Sequence, residues 1–241
     1  MRHLGLVLGA GVALASCSVG SDARDIAPPS AVMQAPAFVL RTELGLQGTA
    51  TQVGDACFIT NRHMLPPGSS KIILEGYSLP ISQLGAGDYQ PDSRVNVEAD
   101  NAQDWVVFAA PVNATWPKRV SVDFSRSLTE GDEVWIVGYG SSDSDADMHQ
   151  DRPLRRSAIR ASITSPPWRK YERPELVNLR VPGTSYPGLS GSPVIIYDRE
   201  HDRATIVAIW VGCVSYYGTR SDGIDELVAV QGQAVRPPVG D

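Results

Sequence analysis

Short apolar runs rich in β-branched side chains recur along this chain, separated by Gly, Pro, Asn and Asp. In the first half they predict strands near 38–46, 48–53, 56–62, 71–76, 94–98 and 105–110. In the second half they predict strands near 132–138, 155–164, 176–182, 192–197, 204–211 and 226–231. Turn signals such as Pro66-Pro67-Gly68 and Gly85-Ala86-Gly87-Asp88 punctuate them. Residues 111–130 read as a crossover linker between the two sets. Helical periodicity is scarce, so the pattern predicts an all-β barrel or sandwich.

The ends of the pattern differ from its middle. Arg2 and His3 precede an apolar stretch, Leu4 to Ala15, that is too short to span a membrane as a helix. It closes in Leu14-Ala15-Ser16-Cys17, which resembles a bacterial lipoprotein signal with Cys17 as the acylated first residue of the mature chain. The alternative is ordinary signal-peptidase cleavage after Ala13-Leu14-Ala15. Residues 1–16 are therefore expected to be removed. Residues 17–36, rich in Ser, Asp, Ala and Pro, are expected to form a flexible tether ahead of one folded unit over 37–241.

At 241 residues the chain can bury a sizeable core. Its net charge of −6 and the lack of a basic stripe argue against nucleic acid as a partner. Asp143, Asp145 and Asp147 alternate as calcium ligands do, but the central Gly and late Glu of such a loop are missing. A solvated loop without metal is the expectation there. Beyond Cys17 the cysteines are Cys57 and Cys213, which are expected to be unpaired, mostly buried thiols.

The chemistry concentrates in Gly188-Leu189-Ser190-Gly191-Ser192-Pro193, followed by the β-rich run Val194-Ile195-Ile196-Tyr197. A serine between glycines suggests a nucleophile on a tight turn where backbone N–H groups can converge. By itself the segment reads equally as a strand connection. A hydroxyl nucleophile needs a base, and the base needs an orienting acid. Of the four histidines, His3 is in the leader, and His149 and His201 lie in charged, loop-like stretches. His63 alone ends a strand-like run, Ala56 to His63. The acid candidate is Asp104, which heads the apolar run Trp105-Val106-Val107-Phe108 and can shelter at the edge of the core. An α/β-hydrolase elbow is excluded, because it needs Gly at the second position after the serine, where Ser192 stands, and a histidine last in the chain.

Three segments in order, GTATQVGDACFITNRHM (48–64), QDWVVFAAP (103–111) and GLSGSPV (188–194), resemble the trypsin/chymotrypsin-like serine peptidases. The bacterial branch with glutamyl endopeptidases and HtrA-type proteases is the nearest in kind. The resemblance covers about residues 37–232. It implies two antiparallel six-stranded β-barrels, about 37–118 and 130–235, with the active site in the cleft between them. It implies a peptide substrate, no cofactor, and catalytic roles for His63, Asp104 and Ser190. The backbone N–H groups of Gly188 and Ser190 would form an oxyanion hole. Thr184 and Ser185 would line the base of a specificity pocket, and Trp210 and Val211 its wall. With no acid at the base and Ile209 before Trp210, preference for Arg, Lys or Glu is not expected, and Val211 would favour small or medium aliphatic side chains. Leu189 departs from the family, whose pancreatic members carry Asp there and whose bacterial members often carry Asn. The implied activity is a serine endopeptidase tethered to the bacterial envelope, with a secreted form as the alternative. A catalytically weak or inactive binding module on the same fold is the rival function.

Overall fold

Antiparallel pairing organises almost every strand. The structure is a computed structural model, and it describes residues 27–43, 45–65, 68–88, 103–111, 120–140, 155–164, 176–180, 188–213 and 226–231. The first half forms β1 (Ala37–Arg41), β2 (Gln47–Gln52), β3 (Cys57–Thr60), β4 (Lys71–Leu74), β5 (Tyr77–Pro80), β6 (Ser82–Ala86) and β7 (Val106–Ala109). They join in the order β5-β4-β1-β2-β3-β7-β6. The two edge strands, β5 and β6, are separated in sequence by Ile81 alone, so the sheet must curl to bring its edges together there.

The second half forms β8 (Ser121–Val122), β9 (Glu133–Gly140), β10 (Arg155–Thr164), β11 (Leu176–Arg180), β12 (Pro193–Asp198), β13 (Arg203–Cys213) and β14 (Glu226–Gln231). Their order is β12-β9-β10-β11-β14-β13-β8, and β12 pairs with β13 as well. The pairing therefore returns on itself, while β8 attaches to β13 as a short parallel edge. The fold is all-β. Each sheet holds seven strands among the described residues, where about six per half were expected from the pattern. The strands not expected from the pattern are β5, β6 and β8, the last inside the stretch 111–130 expected as a crossover linker. The strand expected near 94–98 and the polar loop at 141–153 lie outside the described residues.

Each sheet wraps its own core. Phe38, Phe58 and Phe108 meet in the first, with ring centroids 5.9 and 5.5 Å apart. Val134, Ile136, Leu179, Val194 and Val207 fill the second. Between the halves, Ile59, Trp105 and Val107 of the first pack against Ile209 and Val211 of the second. β2 is the exception to apolar burial. Its sequence QGTATQ is polar, yet the strand is buried along its whole length. Buried hydroxyls need partners, and those of Thr49 and Thr51 find them in the second half, while the Gln52 amide donates to the Gly54 carbonyl of the first (3.1 Å).

The tether expected through Pro36 ends earlier. Residues 30–33 form a short helix, α1 (Ser30–Met33), and Val32 and Ala35 are fully buried against Trp135, Ile195 and Ile206 of the second sheet. Arg156 fastens the segment by donating to the carbonyls of Met33 (3.0 Å), Ala35 and Ala37 (3.3 Å). Composition alone suggests a flexible tether here, but buried Val32 and Ala35 and the Arg156 guanidinium dock the segment. Cys57 is a free, half-buried thiol whose pKa burial pushes up. The side chain of Cys213 lies outside the described residues.

If residues 27–36 belong to the folded unit, Val32→Ala should lower unfolding stability by about 1–3 kcal/mol in urea titration. An unchanged midpoint would mean the segment is a tether after all.

Candidate active site

His63 sits on a tight turn that follows β3, closed by hydrogen bonds from Met64 N–H to the Asn61 carbonyl (3.1 Å) and from Leu65 N–H to the Arg62 carbonyl (3.1 Å). Asp104 lies just before β7. Because β3 and β7 pair with Thr60 opposite Val106, the residues flanking this rung are brought side by side. Asn61 tightens the junction by donating from its amide to the Asp104 backbone carbonyl at 2.8 Å.

The Asp104 carboxylate is 2% exposed, and His63 satisfies both of its oxygens. The His63 backbone N–H donates to Oδ1 at 2.9 Å, and its Nδ1 lies 2.6 Å from Oδ2. A buried carboxylate is an acceptor, so Nδ1 must carry the proton and Nε2 is left with a lone pair. Nε2 lies 3.2 Å from Ser190 Oγ, which therefore donates to it. The imidazole keeps about a third of its surface open to solvent. The three residues form one directional chain from a buried negative charge to a partly accessible hydroxyl, an arrangement that can remove the hydroxyl proton as a nucleophile attacks.

Ser190 occupies a loop between two glycines in the left-handed region, Gly188 (φ 92°) and Gly191 (φ 85°). Leu189 between them is fully buried in the second core. Hydrogen bonds hold the loop from several sides. Ser192 N–H donates to the Leu189 carbonyl (2.8 Å), and Gly191 N–H to the Trp210 carbonyl (3.1 Å). From β2, the Thr49 N–H donates to the Ser190 carbonyl (2.8 Å), the Thr49 hydroxyl to the Gly188 carbonyl (3.2 Å) and the Thr51 hydroxyl to the Gly191 carbonyl (2.8 Å). The loop's carbonyls thus point into the protein. Among the described residues, the N–H groups of Gly188 and Ser190 donate to none of them.

Of the residues singled out in the sequence, His63, Asp104, Ser190 and Gly188 converge here. Trp210 and Val211, expected on a pocket wall, are buried, each 3% exposed. Trp210 packs in the second core and Val211 against Ile59, Trp105, Val107 and Ile209. Truncating Val211 would therefore remove core packing before it widened a cleft. Thr184, Ser185 and Cys17 lie outside the described residues. His201 is elsewhere, in the β12–β13 turn, where its Nδ1 lies 2.7 Å from the Asp198 carboxylate. That contact lowers the Asp198 pKa and accounts for the histidine. The reading of the sequence missed Thr49, Thr51 and Asn61. The only signal for the two threonines was hydroxyls at alternate positions of a strand otherwise lacking large apolar residues, and Asn61 gave none.

Residues 48–202 match the family model described as a trypsin-like peptidase domain. Among solved structures, the chain is similar to kallikrein-related peptidase 10 in complex with Zn2+, with a TM-score of 0.57 at 14% identity over 85% of this chain and 93% of that one. It is also similar to the scabies mite inactivated protease paralogue S-I1, with a TM-score of 0.55 at 16% identity over 85% and 92% of the two chains. At such identities the likeness shows the fold. No curated protein matches the chain.

Gly191 tests how tightly the loop is held. A Cβ there would collide with the Thr49 carbonyl oxygen and the Thr60 hydroxyl, and φ is positive besides. Gly191→Ala should cost several kcal/mol, of which about 1–2 comes from the backbone conformation. Thermal unfolding of the variant at wild-type temperature would contradict this geometry.

Proposed function

Since the chain belongs to the trypsin-like peptidase domain family, we propose that it is a serine endopeptidase working through His63, Asp104 and Ser190. The observation that carries this reading is the unbroken hydrogen-bonded chain from Asp104 through His63 to Ser190 Oγ. Fold alone would not suffice, because one structural neighbour is an inactivated protease paralogue.

In this reading Ser190 Oγ attacks the scissile carbonyl carbon as its proton passes to His63 Nε2. The imidazolium is held against Asp104, and the carbonyl oxygen, now negative, is received by the N–H groups of Gly188 and Ser190. Collapse of the tetrahedral species breaks the C–N bond. His63 returns the proton to the leaving amine, and an acyl-Ser190 ester remains. Water, deprotonated by His63, then hydrolyses the ester. Leu189, buried where pancreatic relatives need a charged residue to order the loop, anchors it by packing instead. We infer that the loop needs no charge switch to become competent.

Reading each half as a six-stranded barrel, with β5 and β6 as one bent strand and β8 as an appendage, is supported by the edge strands β5 and β6 meeting at Ile81 and by the β12–β13 pairing. The cleft between them would take an extended peptide. Absence of an acidic residue at Thr184 and Ser185 favours rejection of Lys and Arg, whose buried charge would go unpaired. The leader 1–16, ending just before Cys17, favours a lipoprotein of the bacterial envelope, in line with the bacterial branch of the family.

Ser190→Ala should lower kcat on a peptide substrate by about 10⁴-fold or more with little change in unfolding temperature. His63→Ala and Asp104→Asn should lower kcat by about 10⁴-fold, His63→Ala also unfolding at a lower temperature because Asp104 Oδ2 loses its partner. Near-wild-type turnover in any of them would remove that residue from the mechanism. Cys17→Ser should move the expressed protein from the membrane to the soluble fraction, or leave it unprocessed. Mature protein beginning at Ser16 without lipid would instead establish the secreted form.

A further inference from the structure

We propose that Thr49 is a positioning residue for the oxyanion hole, acting through its side-chain hydroxyl. The inference rests on the protease reading above and adds a residue to it. Thr49 lies in β2 of the first sheet, yet it reaches the loop that carries Ser190, which belongs to the second. It is fully buried, and each of its polar atoms is used. Its N–H donates to the Ser190 carbonyl (2.8 Å), and its own carbonyl accepts from the Thr60 hydroxyl (2.8 Å). Its hydroxyl accepts from Tyr139 N–H (3.1 Å) and lies 3.2 Å from the Gly188 carbonyl.

The direction of that last bond follows from the first. A hydroxyl has one proton, and a carbonyl can only accept. With Tyr139 N–H directed at the Thr49 oxygen, the hydroxyl proton is committed to Gly188. β9 thus fixes the rotor of a side chain on β2, and that side chain fixes a peptide plane in the Ser190 loop.

That plane is the one joining Gly188 to Leu189. The two N–H groups assigned to the oxyanion hole, those of Gly188 and Ser190, lie on either side of it. Its orientation sets the angle at which they converge. The next planes have other restraints: Ser192 N–H on the Leu189 carbonyl, Thr49 N–H on the Ser190 carbonyl and Thr51 hydroxyl on the Gly191 carbonyl. For the Gly188 carbonyl the Thr49 hydroxyl is the partner. Gly188, with φ at 92°, offers little resistance of its own to rotation of this plane.

The sharpest test removes the hydroxyl and keeps the shape. Thr49→Val retains the backbone N–H and the branched side chain, while Thr49→Ser retains the hydroxyl. Each variant is assayed for kcat and KM on a peptide ester and for the rate of phosphonylation by a fluorophosphonate, both of which place a negative oxygen in the hole. The low-field proton resonance of the His63–Asp104 hydrogen bond is recorded alongside.

Thr49→Val should lose about tenfold or more in kcat and in phosphonylation rate, less than the 10²–10³ of deleting an oxyanion donor outright. KM and the low-field resonance should stay as in wild type. Thr49→Ser should recover most of the rate. Phosphonylation of Thr49→Val within twofold of wild type would overturn the inference. So would loss of the low-field resonance together with the rate, because the defect would then be general. If Thr49→Val does not fold, Thr49→Cys, a weak donor of similar size, takes its place; a rate equal to that of Thr49→Ser would show that the hydroxyl's bond is not needed. Wild-type protein that is not phosphonylated at all would sink the protease reading itself, whereas phosphonylated wild type with an unaffected Thr49→Val sinks this inference alone.

Discussion

A carboxylate as deeply buried as Asp104 is tolerable only when its charge is met by hydrogen bonds, and His63 supplies two of them. That requirement orders the rest of the site. Holding the carboxylate fixes the His63 backbone as well as its ring, so the imidazole cannot swing away without exposing an unsatisfied charge. The tautomer follows from the same contact, and with it the direction in which Ser190 Oγ must donate. Pairing of β3 with β7 delivers the two partners to adjacent positions, so the constraint is met by strand register and not by a long loop.

The proposed mechanism makes a second demand, that a nucleophile from one half meet a base from the other. Apolar contacts at Ile59, Trp105, Val107, Ile209 and Val211 bring the halves together without specifying orientation at the scale chemistry needs. Directional bonds do that. β2 turns its threonine hydroxyls and a backbone N–H toward the carbonyls of Gly188, Ser190 and Gly191, which accounts for burial of the threonines at its centre. Rigidity is set at the same place: the two positive-φ glycines give the loop its shape, and Leu189 pins it to the second core. The polarity of β2 is thus the condition for aligning the site.

Most strands were legible because they carry continuous apolar, β-branched runs, as in EVWIVGYG over β9 and RATIVAIWVGC over β13. β5 and β6 were not, since YSLP and SQLGA carry few apolar residues and lie mostly at the surface. Docking of residues 27–36 was hidden in a composition that resembles a linker, because its partners, Arg156 and the apolar side chains of Trp135, Ile195 and Ile206, are distant in sequence. His63, Asp104 and Ser190 were readable because each stands at a strand boundary beside a distinctive motif. Thr49 and Thr51 were not, because threonine in a strand is ordinary and its bonding partners are distant in sequence. Val211 shows the converse. Its place near Trp210 suggested a wall, but at a bulge in the β13–β14 pairing its side chain turns into the contact between the halves.

The central claim is that burial of Asp104, relayed through His63, makes Ser190 a nucleophile. It is tested most directly by treating the intact protein with a fluorophosphonate and locating the adduct by peptide mass mapping. A single adduct on Ser190 is expected, formed at a rate that falls by orders of magnitude in His63→Ala. An unmodified Ser190, or modification at the same rate without His63, would contradict it.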